Sequence, residues 1–171
     1  MKEKKTTIYL TRHGQTEENA QGLFQGQTDG HLSILGREQA RMLRPKIEKL
    51  QFDAILCSDL KRCRDTAAIA LTGHIMADEI AYMPLLRERD LGNLTGTKIE
   101  GATLNESVES NQAVRERAIK FIEYAKKLYP GKRLLVFSHG FFCKTLQGVI
   151  EGKPYYDIPL MDNCEIRELN I

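Results

Sequence analysis

The chain has 171 residues, 42% of them hydrophobic and 28% charged, so it is long enough for one well-buried domain and too short for two to be expected. Its 25 Lys and Arg nearly balance 23 Asp and Glu, which excludes the strong basic excess typical of proteins that bind nucleic acids or membrane surfaces. The charged start, Met1–Lys5, lacks the apolar run of a signal peptide, and no stretch approaches the roughly 20 apolar residues that span a bilayer, so we expect a cytoplasmic protein with a single domain over residues 1–171.

Short β-prone runs alternate with longer helical patterns, which is typical of an α/β layer fold. Residues 6–10 (T-T-I-Y-L) form the first predicted strand, and a polar loop follows over residues 11–30. Ser33 is the predicted N-cap of a helix, and Pro45 within that helix predicts a kink or a break. The apolar stripe of this helix consists of Leu35, Ala40, Leu43, Ile47 and Leu50.

A second strand is predicted at residues 53–57 (D-A-I-L-C), and Ser58 is the expected N-cap of the helix that follows it. The apolar positions of that helix are Leu60, Ala67, Ala68 and Leu71. Residues 79–83 form a weaker strand candidate, and residues 85–105 are predicted to be a loop with at most one helical turn.

The second half of the chain contains the most regular helical spacing, over residues 114–128, and Pro130-Gly131 ends it. Residues 134–138 (L-L-V-F-S) form an uninterrupted apolar run, typical of a central strand in a parallel sheet. A helix over residues 141–150 and an edge strand over residues 164–171 follow. We therefore predict a three-layer α/β/α sandwich around a mostly parallel sheet.

Basic side chains and imidazoles follow three of the predicted strands. They are Arg12, His13, Arg62 and His139. A single His at a strand end is more often structural, and a single Arg is usually a surface charge, but a His-Gly pair follows two of the strands. Because ligands of open α/β sheets bind at the carboxyl ends of the strands, we expect these side chains to converge on one phosphate dianion. Gly14 and Gly140 would let the backbone approach it, and the start of the helix after the second strand would add its positive end.

Short sequence blocks extend this pattern along nearly the whole chain. They are T-R-H-G-Q-T-E-E-N (11–19), Q-G-Q-T-D (25–29), L-S-I-L-G-R-E-Q-A (32–40), S-D-L-K-R-C-R-D-T-A (58–67), L-R-E-R-D-L-G (86–92), E-S (106–107) and S-H-G (138–140). In these blocks, and in their order, the chain resembles the histidine phosphatase superfamily, also called the phosphoglycerate mutase-like family. R-H-G alone would be a weak signal, whereas the ordered set is specific.

The resemblance implies a phosphoglycerate mutase-like fold and a reaction through a phosphohistidine on His13, with no metal and no cofactor. Glu88 would protonate the leaving oxygen and then accept a proton from the attacking water, with Asp90 as the alternative. The residues implied to surround the phosphoryl oxygens are Arg12, Arg62 and His139, and those implied to make further phosphate or substrate contacts are Asn19, Gln25 and Gly26. Asn19 could instead shape its loop through an Asx turn.

Chain length bears on which reaction is expected. About 18 residues separate Gly92 from the long helix, whereas cofactor-dependent phosphoglycerate mutases carry larger insertions that keep water from the phosphohistidine. We expect a phosphomonoester hydrolase of the histidine acid phosphatase type that acts on a small phosphorylated metabolite. The alternatives are a phosphoglycerate mutase and a non-catalytic phospho-ligand binding module. The residues expected to shape selectivity are Phe24, His31, Phe141, Phe142 and the loop over 91–101.

Overall fold

The computed structural model describes residues 5–171, which form a five-stranded sheet with the strand order β3-β2-β4-β1-β5. The strands are β1 (Thr7–Arg12), β2 (Ala54–Cys57), β3 (Ile80–Tyr82), β4 (Arg133–Ser138) and β5 (Ile166–Asn170). The first four run parallel, and β5 pairs antiparallel with β1 at the edge. The predicted central and edge strands are thus confirmed. Residues 1–4, to which the signal-peptide argument applied, lie outside the described residues.

Helices cover both faces of the sheet. They are α1 (Glu17–Ala20), α2 (Ile34–Ile47), α3 (Lys61–Ala70), α4 (Asn111–Leu128) and α5 (Gly140–Glu151). Along β4 the side chains alternate: Leu134 and Val136 pack with α4 and α5, whereas Leu135 and Phe137 pack with α2 and α3. This alternation buries apolar side chains on both faces, which confirms the three-layer sandwich. Every helix of residues 5–171 is too short or too polar to cross a bilayer.

Two local predictions on α2 are wrong. The helix does not break at Pro45 but continues to Ile47, because Leu43 and Ile47 on either side of the proline are buried against the sheet and hold the last turn in place. A kink at Pro45 stays a prediction. Leu35 is exposed, and Gly36 occupies the buried position instead. The predicted N-cap is correct, since the hydroxyl of Ser33 accepts a hydrogen bond from the Gly36 N–H.

The start of α3 also differs from the prediction. The helix begins at Lys61 rather than directly after Ser58, and Ala68 is on its exposed side. Asp29, far away in the chain, caps the helix: its carboxylate accepts the Lys61 N–H at 3.0 Å, and its carbonyl accepts the Arg62 N–H at 3.2 Å. Ser58 is thereby released from capping and lies beside His139.

Gly36 brings α2 into direct contact with the loop that follows β1. A Cβ atom at Gly36 would lie 1.9 Å from the carbonyl oxygen of Gln15, and one at Gly14 would lie 2.6 Å from the carbonyl oxygen of Gly36. The space expected at Gly14 for a ligand is therefore taken by α2. This close backbone packing fixes the course of the chain immediately after His13.

We expect Gly36→Ala to destabilise the protein, although Ala alone would favour a helix by about 1 kcal/mol over Gly. Backbone atoms on both sides leave no room for the methyl group, and overpacking of this kind costs about 1–3 kcal/mol. Urea denaturation would measure the loss, with the exposed Met42→Ala substitution on the same helix as control. A Gly36→Ala protein as stable as the wild type would contradict the packing described here.

Candidate active site

One cavity of about 570 Å³ opens at the carboxyl ends of the parallel strands. Of the residues that the sequence analysis assigned to catalysis or to phosphate and substrate contacts, those that line this cavity are Arg12, His13, Asn19, Gln25, Gly26, Arg62 and Glu88. His139 is fully buried next to it, with its ring centroid 5.2 Å from that of His13. The fold therefore brings side chains from distant parts of the chain to a single place.

Hydrogen bonds at both ring nitrogens define the tautomer of His13. Nδ1 lies 2.7 Å from the carbonyl oxygen of Gly14, and because a carbonyl can only accept, Nδ1 carries the hydrogen. Nε2 then holds a lone pair, and it accepts a hydrogen bond from Nε of Arg62 at 3.3 Å. The backbone of His13 is also fixed, since its N–H donates to Ser138 and its carbonyl accepts from the Asn163 amide.

Burial, reinforced by the positive charges of Arg62 and Arg12, holds the pKa of His13 well below its usual value. The imidazole is therefore neutral at neutral pH. A neutral ring whose Nε2 lone pair lies in a cavity wall lined by two guanidinium groups is suited to attack an anionic phosphoryl group.

The guanidinium group of Arg62 connects His13 to the first loop. In addition to its bond to His13, it donates to the carbonyl oxygen of Gly26 at 2.8 Å and to that of Thr28. The side chain is almost fully buried. Arg62 thus holds the loop over residues 26–28 against the nucleophile while keeping positive charge beside it.

Arg12 has a donor that is not used within the described chain. One terminal nitrogen donates to the carbonyl oxygen of Met161, but Nε is buried with no acceptor among residues 5–171. The absence of a side chain at Gly140 makes room for this guanidinium, since a Cβ there would lie 3.2 Å from Arg12 Nε. Buried hydrogen-bond donors in proteins are usually paired, and an anion in the cavity would place negative charge beside this unpaired one.

His139 packs beside His13 but does not line the cavity. Its Nε2 lies 2.7 Å from the hydroxyl oxygen of Ser58 and 3.4 Å from the sulfur of Cys63. Burial, with the charge of Arg62, holds the pKa of His139 well below its usual value, so this ring is also neutral. In this geometry Nε2 of His139 is already within hydrogen-bond distance of Ser58. Contact between His139 and a phosphoryl oxygen stays a prediction.

Glu88 is anchored at the N-terminus of α5. Its carboxylate accepts the backbone N–H groups of Arg89, Phe142 and Phe141 at 2.9, 3.0 and 3.1 Å. These bonds use the positive end of the helix to hold the carboxylate in the cavity wall. The alternative residue, Asp90, is exposed and caps a turn by accepting the Gly92 N–H.

Sequence reasoning missed Arg117, which holds the loop that carries Glu88. Its guanidinium donates to the carbonyl oxygens of Leu85, Arg87 and Glu88 and pairs with the carboxylate of Glu109 at 2.8 Å. The position of Arg117 on the polar side of α4 gave no signal for this role. The sequence feature most closely related to this role is the pair Glu109 and Arg117, whose opposite charges lie on either side of the residue at which α4 begins.

The first loop is built around hydrogen bonds between side chains. Asn19 and Thr16 form a reciprocal capping box at the start of α1, and the Asn19 amide also donates to Gln25 at 3.1 Å. Gln25 in turn donates to Glu18 at 3.0 Å. Asn19 therefore shapes its loop while lining the cavity, and its contact with a ligand, like that of Gln25, stays a prediction.

Several expectations around the site are corrected. The start of α3 is occupied by Asp29, so this helix end does not face a phosphate as predicted. Phe141 lines the cavity, but Phe142 is fully buried below Arg117 and His31 is exposed.

The four cysteines, Cys57, Cys63, Cys143 and Cys164, are free and buried, and burial raises the pKa of each thiol, to about 12 for Cys164.

The two buried imidazoles predict how stability depends on pH. Both pKa values are lowered in the folded state, so below about pH 6.5 the unfolded chain binds protons that the folded chain does not. We expect the unfolding free energy to be largest above pH 6.5 and to fall as pH decreases, by up to about 1.4 kcal/mol per pH unit for each imidazole. Urea titrations from pH 7.5 to 5 would measure this, and a flat profile would contradict it. His13→Asn should remove about half of the slope.

The chain is similar to known proteins over most of its length. The family model of the histidine phosphatase superfamily (branch 1) matches residues 8–171. A probable phosphatase of Schizosaccharomyces pombe is 36% identical over 151 residues, which cover 82% of this chain and 71% of that protein. A probable phosphoglycerate mutase of Photorhabdus laumondii is 32% identical over 164 residues, covering 86% and 75%. A structure of mycobacterial glucosyl-3-phosphoglycerate phosphatase with VO3 has a TM-score of 0.85 and 25% identity, covering 95% of this chain and 91% of that one.

Proposed function

Because the chain belongs to the histidine phosphatase superfamily, we propose that it hydrolyses phosphomonoesters of small molecules through a phosphohistidine on Nε2 of His13. The observation that carries this proposal is the state of His13: a neutral ring with its hydrogen on Nδ1 and its Nε2 lone pair beside Arg62. Relatives named as phosphatases support the reaction class.

In the first step, the Nε2 lone pair forms a bond to phosphorus while the bond between phosphorus and the leaving oxygen breaks. Glu88, carrying a proton, transfers it to that oxygen, so the alcohol leaves uncharged. The hydrogen bond from Nδ1 to Gly14 stabilises the positive charge on the phosphorylated ring. Arg62 and Arg12 stabilise the charge of the transferring group, which is the main source of catalysis in phosphoryl transfer.

In the second step, water attacks phosphorus and the bond between phosphorus and Nε2 breaks. The Glu88 carboxylate accepts the proton of the attacking water. Inorganic phosphate leaves, His13 regains its lone pair, and Glu88 is again protonated for the next turnover. Asn19, Gln25, Gly26 and His139 are proposed as the surrounding phosphate contacts.

A phosphoglycerate mutase is the second candidate, because relatives 32% identical to the chain are named probable phosphoglycerate mutases. A mutase has to keep water away from its phosphohistidine until the product is rephosphorylated. At the mouth of the cavity, Ile99, Leu104 and Leu160 are about half exposed, so solvent reaches the cavity. This access favours hydrolysis.

Two assays separate these functions. We expect release of p-nitrophenol from p-nitrophenyl phosphate and of inorganic phosphate from alkyl phosphates, with vanadate as an inhibitor. Incubation with 3-phosphoglycerate should release phosphate and form little of the 2-isomer. Isomerisation faster than phosphate release would establish the mutase instead, and binding of phosphate esters without any turnover would leave a non-catalytic module.

A further inference from the structure

The cavity is larger than a phosphoryl group needs, and its lining is divided into two zones. A volume of about 570 Å³ falls in the range of cavities that enclose whole small molecules, about 300–1,000 Å³. One zone of the cavity wall is formed by charged groups and an imidazole. Among the described residues these are Arg12, His13, Arg62, Glu88 and Arg89. Large apolar and aromatic side chains form most of the remaining wall, which we call the apolar subsite: Phe24, Ile99, Leu104, Phe141, Tyr155 and Leu160.

One side of the apolar subsite is held rigidly by the backbone. Phe24 and Ile99 lie on two loops that pair with each other: the Phe24 N–H donates to Thr97 and the Ile99 N–H to Gly22, both at 2.9 Å. Neither residue belongs to the sequence blocks that carry the phosphate site. The wall is therefore preformed, so little ordering cost is added when a ligand binds.

The other side is aromatic. The rings of Phe141 and Tyr155 pack with their centroids 5.2 Å apart, and the guanidinium of Arg89 lies 4.9 Å from the centroid of Phe141. Nε of Arg89 donates to the carbonyl oxygen of Glu109, and the residue is buried. The guanidinium of Arg89 thus covers the aromatic face, and its Nε is held by a backbone carbonyl.

The mouth of the subsite exposes apolar surface. Ile99, Leu104 and Leu160 are 48%, 49% and 56% exposed, and all three lie around the same opening. Grouped apolar side chains at a cavity mark a binding surface, because a ligand removes their area from water.

We propose that the apolar subsite binds the leaving group, so that the preferred substrates are phosphomonoesters of apolar alkyl or aromatic alcohols. This inference rests on the proposed phosphatase function. The apolar subsite would select substrates by their organic part, a selectivity that the phosphate-binding residues alone do not provide.

The test is a series of primary alkyl phosphates from ethyl to hexyl, whose alcohols are leaving groups of similar reactivity. We expect kcat/KM to rise about threefold for each added methylene, since each one buries further apolar area. We also expect hexyl phosphate to be hydrolysed at least tenfold more efficiently than 3-phosphoglycerate. Equal rates along the series, or a preference for 3-phosphoglycerate, would overturn the apolar subsite while leaving the phosphatase function intact.

Matched variants assign the effect to the subsite. Ile99→Ser and Leu104→Ser should flatten the dependence on chain length, whereas Ile75→Ser, at an almost fully exposed position that does not line the cavity, should retain the wild-type dependence. An unchanged dependence in both subsite variants would overturn the assignment. No turnover of any ester by the wild-type protein would overturn the proposed function, and this inference with it.

Discussion

We expect His13→Asn to lower kcat/KM for every phosphomonoester by about 10⁵–10⁶, the loss seen when a catalytic nucleophile is removed from a group of residues that act together. The Asn amide can still donate to the Gly14 carbonyl, so the loop keeps its anchor, but the amide has no lone pair able to attack phosphorus. Steady-state kinetics with p-nitrophenyl phosphate and hexyl phosphate would measure the loss.

The matched control is His31→Asn, which removes an exposed imidazole from the same loop region and should leave turnover unchanged. Urea denaturation would establish that the His13→Asn protein is folded. A folded His13→Asn protein that retains a tenth of the activity would contradict a nucleophilic role.

The second large effect is expected for Glu88→Gln, with a loss of about 10²–10⁴ in kcat/KM for alkyl phosphates. Gln cannot supply the proton that an alkoxide leaving group requires, although its amide oxygen, in the place of Oε1, can still accept the backbone N–H groups of Arg89 and Phe142. The loss should be much smaller for p-nitrophenyl phosphate, because p-nitrophenolate leaves without protonation. The comparison of the two substrates is therefore the measurement.

Asp90→Asn serves as the control for Glu88, since Asp90 is the neighbouring carboxylate that the sequence left as an alternative. Asp90 caps a turn at Gly92, so its substitution should affect stability more than turnover. Equal losses for both substrates in Glu88→Gln, or a larger loss in Asp90→Asn, would contradict the assigned proton donor.

The fold class and the set of residues at the cavity could be predicted because both depend on short, local patterns. The apolar run of β4 predicted a central strand, and strand ends in parallel sheets meet at one edge, which brought Arg12, His13 and His139 together. Most of the residues assigned to the site from the sequence do line one cavity.

The interactions that were missed all join parts of the chain that are distant in sequence. Asp29 caps α3, Ser58 pairs with His139, and Arg117 holds the Glu88 loop. Local propensity made Ser58 a good cap, but tertiary contacts decided the outcome. A capping residue 32 positions away or a hydrogen-bond partner 81 positions away leaves no periodic signal, so a single sequence cannot reveal it.

The close packing of Gly14 on Gly36 illustrates the same limit. The glycine after His13 was expected to make room for a ligand, and the structure uses that space for a helix. Both readings need a residue without a side chain, so composition alone could not separate them. The consequence for function is indirect: the helix fixes the loop, and the loop fixes the imidazole.

Capture of the covalent intermediate tests the central claim most directly. Wild-type protein mixed with ³²P-labelled hexyl phosphate and quenched in alkali during turnover should carry label that is stable to base and labile to acid, as a phosphoramidate is. Digestion and fragmentation should place that label on His13 and not on His31, which lies on the same tryptic peptide. Label on His139 or on a carboxylate, or turnover with no covalent label at any quench time, would contradict attack by Nε2 of His13.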